Sequence, residues 1–126
     1  MAIFGIGIDL VKVERVEQAL LRYGDRFRRR VFTDSEIAFC EKVATGHLSY
    51  AGRFAAKEAF SKALGTGLRG AIGWRDIQVN DTERSRPTIT VFGRAKELLG
   101  NRRVHLSITH LTDYAAAVVV VEESDE

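Results

Sequence analysis

The sequence predicts an α+β fold in which a largely antiparallel sheet packs against a central helix. Several segments alternate apolar with small or polar residues, as strands with two different faces do, and segments with helical spacing lie between them. The predicted order is β-α-α-α-β-β-α-β-β. Because two pairs of strands follow one another directly, the order favours hairpins over parallel βαβ units.

Length and charge limit the classes of protein that fit. The 126 residues suit one domain, so we expect a single domain over residues 1–126. With 19 basic and 17 acidic residues the formal charge is +2, so any anion-binding role must be local. One cysteine excludes an internal disulfide and agrees with a reducing compartment. An early aspartate and short apolar runs argue against a secretory signal or a membrane span, so we expect a cytoplasmic protein.

The first strand is predicted over Ile3–Val11. One of its faces carries only large apolar side chains, namely Phe4, Ile6, Ile8 and Leu10. The opposite face is nearly bare, because Gly5 and Gly7 precede Asp9 on it. Glycine inside a strand often marks the close approach of another backbone, so we expect a helix with small side chains to pack here. Asp9 has a second interpretation, since an aspartate at this point could cap the next helix.

The first helix is predicted over Lys12–Tyr23, with Gly24 as its stop. Arg15 and Arg22 share a stripe on its outer side, and the basic run Arg26–Arg30 follows. Most such runs are solvated faces; the alternative is a docking surface for an acidic partner.

The next helix is predicted from the capping box Thr33-Asp34-Ser35-Glu36 and extends over about Asp34–Val43. Cys40 lies among apolar residues of this helix, so we expect it to pack in the core and to carry no chemistry. The following stretch, 46–50, is expected to be a loop with an exposed His47.

The stretch GRFAAKEAFSKALGTG at 52–67 predicts the central helix. At 100° per residue its small side chains gather on one narrow face, and they are Ala55, Ala56, Ala59 and Ala63. Small side chains let another backbone approach closely, so this face is the expected partner of Gly5 and Gly7. Gly65 can adopt the left-handed conformation that ends helices.

The polar face of the central helix carries Glu58 and Lys62 one turn apart. In a helix about which nothing else is known, such a pair is most often an ordinary surface salt bridge. Here Arg53, Lys57 and Lys62 exceed what Glu58 could neutralise, which indicates that the helix can receive an anion such as phosphate. If the first strand packs on the alanine face, Asp9 could also meet Glu58 across a small gap.

In the second half, residues 76–80 and 88–92 are predicted to form a hairpin, and residues 93–100 a short helix. Two strands are predicted to follow, at 104–110 and 114–122. Residues 81–87 would join the hairpin. The last strand is apolar on both faces, so both must be covered. One domain with so few helices has little left to cover the second face, so we expect a homo-oligomer.

Three blocks of this sequence resemble the holo-[acyl-carrier-protein] synthases, the small bacterial 4′-phosphopantetheinyl transferases. The blocks are GIGIDLVKVERV at 5–16, GRFAAKEAFSKALGTGL at 52–68 and HLSITHLTDYAAAVVV at 105–120. They stand in the order and spacing of the family, and the resemblance runs from end to end of the chain.

The resemblance implies transfer of the phosphopantetheine arm of coenzyme A to a serine of apo acyl carrier protein, with Mg²⁺ as cofactor, in fatty acid biosynthesis. Asp9 and Glu58 match the metal-binding acids of the family, Lys62, Arg53 and His110 match residues around the bound coenzyme A, and Arg15 falls where the first helix of the family meets the carrier protein. We assign Asp9, Glu58 and Lys62 to catalysis. We add Gly65 to the coenzyme A site, and Arg22, on the stripe of Arg15, to the carrier-protein surface. The resemblance also implies a homotrimer that binds coenzyme A between protomers. Ser85-Arg86-Pro87 departs from the glycine that relatives often have in the hairpin turn, which leaves any coenzyme contact there open.

Two other hypotheses belong to different functional classes. A small nucleic-acid-binding module could grip phosphates through Arg26–Arg30, but the strands show no paired exposed aromatics and the overall charge is nearly balanced. A purely structural oligomer would use the last strand and would leave Glu58 and Lys62 without a role. We therefore expect neither a nucleic-acid nor a membrane partner.

Overall fold

The computed structural model describes residues 2–68, 72–82 and 85–124. The helices and strands are β1 (Ile3–Lys12), α1 (Val13–Tyr23), α2 (Asp25–Val31), α3 (Asp34–Lys42), α4 (Gly46–Leu64), a 3-10 turn (Trp74–Asp76), β2 (Ile77–Thr82), β3 (Ser85–Val91), α5 (Gly93–Leu99), β4 (Arg103–His110) and β5 (Tyr114–Glu122). This mixture of helices with antiparallel strands confirms the predicted α+β class.

The strands form two separate units instead of the single sheet that we expected. β1, β5 and β4 make a three-stranded antiparallel sheet with β5 in the middle, and β2 and β3 make a two-stranded antiparallel ribbon. The helix α4 covers one face of the three-stranded sheet, and the core lies between them. The fold is therefore organised around the predicted central helix.

The close contact between β1 and α4 is the feature that positions the site. A Cβ atom on Gly5 would overlap the carbonyl oxygen of Ala63, and one on Gly7 would overlap that of Ala59. All four alanines of the small-residue face are at most 4% exposed. The predicted packing of the bare strand face against the alanine face is confirmed, because only glycine lets the two backbones come this close.

We expect Gly7→Ala to lower the free energy of unfolding by about 1–3 kcal/mol, because the new methyl group must push β1 away from the backbone of α4. Urea denaturation would measure the change. Gly73→Ala is the matched control, since a Cβ there meets only the carboxylate of Asp76 at ordinary van der Waals distance, 3.7 Å. Equal stability of the two variants would contradict the close-packing argument.

The helix α3 begins as its sequence predicts. The backbone N–H of Thr33 donates to Glu36 Oε1 at 2.8 Å, and the backbone N–H of Glu36 donates to Thr33 Oγ1 at 3.3 Å, so both halves of the capping box are present. Cys40 is 1% exposed within this helix, which confirms its role in packing.

The helix α4 begins at Gly46, so the prediction of a loop over 46–50 is wrong, and His47 lies in the first turn of the helix. The backbone N–H of Leu48 donates to the carbonyl oxygen of Thr45 at 3.0 Å, which starts the helical pattern. Tyr50 is buried and Leu48 partly buried, so the apolar periodicity of α4 extends upstream of the alanine-rich stretch.

One more helix, α2, lies where the sequence showed only a basic run. Gly24, at a φ of 55°, separates it from α1. Within α2 Arg28 turns toward α3, where its Nε lies 3.1 Å from Glu41 Oε2, and it also pairs with Asp25 at 3.5 Å. The basic run is therefore partly neutralised within the fold.

Lys57 is not available to an external anion. Its Nζ lies 2.7 Å from Glu36 Oε1, both side chains are 0% exposed, and it also donates to the carbonyl oxygens of Trp74 and Ile77. The second oxygen of Glu36 accepts from the backbone N–H of Val79 at 2.8 Å. Burial lowers the pKa of Lys57, and the neighbouring carboxylate opposes that effect. The prediction that Lys57 adds to an anion site is wrong; this pair ties α3, α4 and β2 together.

The hairpin strands are longer toward the turn than predicted, because β2 runs to Thr82 and β3 begins at Ser85. The register changes between Asn80 and Thr82, and Pro87, which has no N–H to donate, lies opposite this interval. Residues 83–84 at the tip of the turn, residues 69–71 between α4 and the 3-10 turn, and residues 125–126 lie outside the described residues.

The sheet face opposite α4 is apolar and exposed. On β1 the side chains of Ile6, Ile8 and Leu10 are 61–67% exposed, and on β5 Val118 and Val120 are only half-buried. These strands are hydrogen-bonded neighbours, so the five side chains form one continuous patch. No described element of the same chain covers it, which agrees with the predicted need for a neighbouring subunit.

Candidate active site

The candidate site is built where β1 crosses α4. Lys62 Nζ donates to Asp9 Oδ1 at 3.1 Å and to the carbonyl oxygen of Ile8 at 3.2 Å. The Asp9 side chain is 17% exposed and that of Lys62 is 51% exposed. Asp9 lies within β1, and the residue before α1 is Lys12, so the alternative that Asp9 caps α1 is wrong.

Glu58 lies on α4 one turn before Lys62 and is half-buried. β1 and α4 run in opposite directions, because Gly5 lies against Ala63 and Gly7 lies against Ala59. Asp9 comes two residues after Gly7 on β1, so the register places it beside the turn of α4 that precedes Ala59. Helical side chains lean toward the N-terminus, so Glu58 leans toward that same turn. The register thus favours a juxtaposition of the two carboxylates.

The donor set of this site suits a hard divalent cation such as Mg²⁺, which takes carboxylate oxygens and keeps several waters or substrate oxygens. Over the described residues, no group of three or more histidine, cysteine or acidic side chains could hold a metal ion by itself. Asp9 and Glu58 would therefore hold the ion only together with water and substrate.

A second group of predicted residues lies on another side of α4. Arg53, 4% exposed, bonds Asp81 Oδ2 at 2.8 Å and lies over the ring of Phe39. Arg53 and His110 line one cavity of about 200 Å³, together with Pro87. The Nε of Arg53 is buried and has no hydrogen-bond partner among the described residues, so it is an unsatisfied donor.

Arg53 and Lys62 do not meet in one protomer. Nine residues of an α-helix turn by about 900°, which places the two side chains on opposite sides of α4. Gly65 follows at the end of the helix with a φ of 83°, and its backbone N–H donates to the carbonyl oxygen of Lys62, which confirms it as the helix stop.

Arg15 and Arg22 are both exposed on α1, as predicted. Arg15 lines a small cavity with Phe27 and Phe54. The same two phenylalanines line a larger neighbouring cavity of about 760 Å³ whose other walls include two guanidinium groups and two aromatic rings, from Arg26, Arg30, Tyr23 and Trp74. A basic and aromatic surface therefore extends from α1 to Phe54, which lies one turn before Glu58.

Comparison with known proteins decides the family. The sequence model of the 4′-phosphopantetheinyl transferase superfamily matches residues 5–119. The holo-[acyl-carrier-protein] synthase of Koribacter versatilis is 45% identical over 124 residues, which cover 96% of this chain and 99% of that protein. The chain belongs to the holo-[acyl-carrier-protein] synthase family.

Solved structures of holo-[acyl-carrier-protein] synthases share the fold. The enzyme from Neisseria meningitidis has a TM-score of 0.86 at 36% identity, covering 97% of this chain and 100% of that one. The enzyme from Bacillus anthracis, solved in complex with CoA (3′,5′-ADP), has a TM-score of 0.83 at 37% identity, covering 97% and 98%. The predicted family and enzyme class are thereby confirmed.

Sequence reasoning missed several contacts around the candidate site. Asp81 holds Arg53 from 28 positions away, and Trp74 and Phe54 form an aromatic pair with ring centroids 4.8 Å apart. No local pattern links these partners, since each contact depends on the placement of β2 or of the 3-10 turn against α4. Of these residues, Phe54 is the one whose position near the site could be predicted, because it lies one helical turn before Glu58.

Cys40 is a buried free thiol on α3. Burial raises the pKa of its thiol to about 12, so the nucleophilic thiolate is almost absent at neutral pH.

No helix of the described residues is long and apolar enough to cross a membrane.

Proposed function

We propose that this chain transfers the 4′-phosphopantetheine arm of coenzyme A to a serine hydroxyl of apo acyl carrier protein and releases adenosine 3′,5′-bisphosphate. The observation that carries the proposal is the convergence of Asp9 and Lys62, one turn of α4 from Glu58. The bound CoA (3′,5′-ADP) of the Bacillus anthracis relative supports the choice of donor. We place the reaction in the cytoplasm and in fatty acid biosynthesis, where carrier proteins need the arm.

Asp9 and Glu58 are proposed to hold Mg²⁺. When bound, the ion would neutralise the pyrophosphate of coenzyme A and so make its phosphorus a better electrophile. Lys62 is proposed to donate to the oxygens of the leaving bisphosphate, where negative charge accumulates in the transition state. The half-buried setting strengthens these interactions relative to open water.

The coenzyme is proposed to bind across two protomers. Arg53 and His110 share a cavity, whereas Lys62 projects from the opposite side of α4. A single coenzyme A that touches all three side chains must therefore be held by Lys62 and Gly65 of one copy and by Arg53 and His110 of the next. The exposed apolar sheet face supplies a surface for such an assembly, and we propose a homotrimer.

The carrier protein is proposed to dock on α1. Arg15 and Arg22 offer positive charge to a partner class that is acidic, and Phe27 and Phe54 offer apolar walls beside Arg15. Because Phe54 lies one turn before Glu58, a carrier docked here would present its serine close to the proposed metal site.

Charge reversal at the docking surface should affect one substrate only. We expect Arg15→Glu to raise KM for the carrier protein on the order of tenfold at low salt, and less at high salt, because exposed charges steer association and are screened by ions. Steady-state kinetics at two ionic strengths would measure this. KM for coenzyme A should change little.

Arg94→Glu is the matched control, because Arg94 is an exposed arginine on α5 that pairs with its neighbour Glu97. A similar loss in KM for both substrates, or an equal effect of the control, would contradict the assignment of Arg15 to the carrier.

Transfer itself is tested by mass. The protein is incubated with coenzyme A, Mg²⁺ and apo acyl carrier protein, and the intact carrier is weighed. The carrier should gain one phosphopantetheine group, and an apo carrier whose acceptor serine is replaced by alanine should gain none. An unchanged carrier mass would contradict the proposed function. The nucleic-acid alternative has no support among the relatives, which are enzymes.

A further inference from the structure

The ion pair between Lys62 and Asp9 has a consequence for metal binding. The ammonium of Lys62 lies 3.1 Å from Oδ1 of Asp9, the carboxylate proposed to bind the metal, and it also donates to the carbonyl oxygen of Ile8 at 3.2 Å. The Asp9 side chain is 17% exposed, so solvent screens its charge only partly. Lys62 therefore supplies a counter-ion to Asp9.

A divalent cation on Asp9 and this ammonium repel one another. An ion bound through Asp9 Oδ1 would share that oxygen with the ammonium of Lys62, whose Nζ lies 3.1 Å from it. Two positive groups on one carboxylate oxygen in a half-enclosed site are unfavourable. Lys62 can leave, because its side chain is 51% exposed, flexible and one turn or less from the end of α4.

We propose that Lys62 is a stand-in cation, which holds Asp9 in the metal-free protein and moves to the phosphates of coenzyme A when the metal takes its place. This inference rests on the metal role of Asp9 and Glu58 proposed above. It gives Lys62 two positions, of which the structure shows the one on Asp9.

The two positions couple the metal to the coenzyme. Removing Lys62 from Asp9 costs an ion pair, and the phosphates of coenzyme A offer the displaced ammonium a new partner. Metal and coenzyme A should therefore each tighten the binding of the other, and part of this coupling should disappear with the Lys62 side chain.

Binding of Mn²⁺ alone, measured by electron paramagnetic resonance without coenzyme A, tests the proposal directly. Lys62→Met should bind Mn²⁺ about 2- to 5-fold more tightly than the wild type, the range expected for removing a competing ion pair whose lysine is 51% exposed. Lys42→Met is the matched control, because it removes the same charge from an exposed position at the end of α3. It should leave Mn²⁺ affinity unchanged.

The outcomes separate this inference from the proposed function. Equal or weaker Mn²⁺ binding by Lys62→Met, or no binding by either protein, overturns the stand-in role. Asp9→Asn should abolish Mn²⁺ binding in both backgrounds; if it does not, the metal site itself is wrongly assigned. A gain equal to that of Lys42→Met would show a general charge effect and would also overturn the stand-in role.

Discussion

Replacing Asp9 or Glu58 by alanine should lower the rate of phosphopantetheine transfer at least about 100-fold and leave the fold intact. A site with two carboxylates has few protein ligands to spare, so losing one removes much of the anchorage of the ion. Asp9 and Glu58 are proposed to share one ion, so we expect the two variants to lose activity to a similar extent.

The measurement is the initial rate of transfer over a range of Mg²⁺ concentrations, with circular dichroism to check the fold. Glu97→Ala is the control, because Glu97 is an exposed carboxylate on α5 that pairs with its neighbour Arg94. Close to full activity of either site variant at limiting Mg²⁺ would show that the metal site is misplaced.

A charge on the uncovered sheet face should abolish assembly and activity together. Val118 lies between Ile8 of β1 and Ser107 of β4, in the middle of the exposed patch. Val118→Lys or Val120→Lys would place an ammonium where a neighbouring subunit is proposed to pack, and an unpaired buried charge is among the costliest changes at an interface. Neither valine belongs to the proposed catalytic group.

Light scattering and the rate of transfer, measured on the same preparation of each variant, would test this prediction. Leu21→Lys is the control, because Leu21 is an apolar side chain of α1 that is 76% exposed and lies away from the sheet face. It should leave the oligomer and the rate unchanged. A folded Val118→Lys monomer with normal turnover would refute the shared site.

The parts of the fold that follow local rules could be predicted. The bare face of β1 and the alanine face of α4 each indicate the close approach of another backbone. Each face is therefore the natural packing partner of the other, so their contact could be predicted from the sequence. The capping box of α3 and the alternation in β5 fix their elements in the same way, because both patterns act within a few residues.

The long-range charge pairs could not be predicted. Lys57 looks like any helical lysine, yet it is fully buried against Glu36, and Glu36 looks like a capping residue and no more. Arg53 finds Asp81 only once the ribbon lies against α4. A sequence shows how many charges a helix carries but not which of them are neutralised inside the fold, so the predicted anion site was too large by one lysine.

The site divided between two copies is the central claim, and complementation of inactive subunits tests it most directly. Glu58→Gln and Arg53→Gln proteins are each measured alone, then dissociated, mixed in equal amounts and allowed to reassemble. Each variant alone should be nearly inactive. The mixture should regain about a quarter of wild-type turnover, because random assembly joins the two intact halves at about one interface in four. A mixture that assembles but stays as inactive as its components would contradict the account.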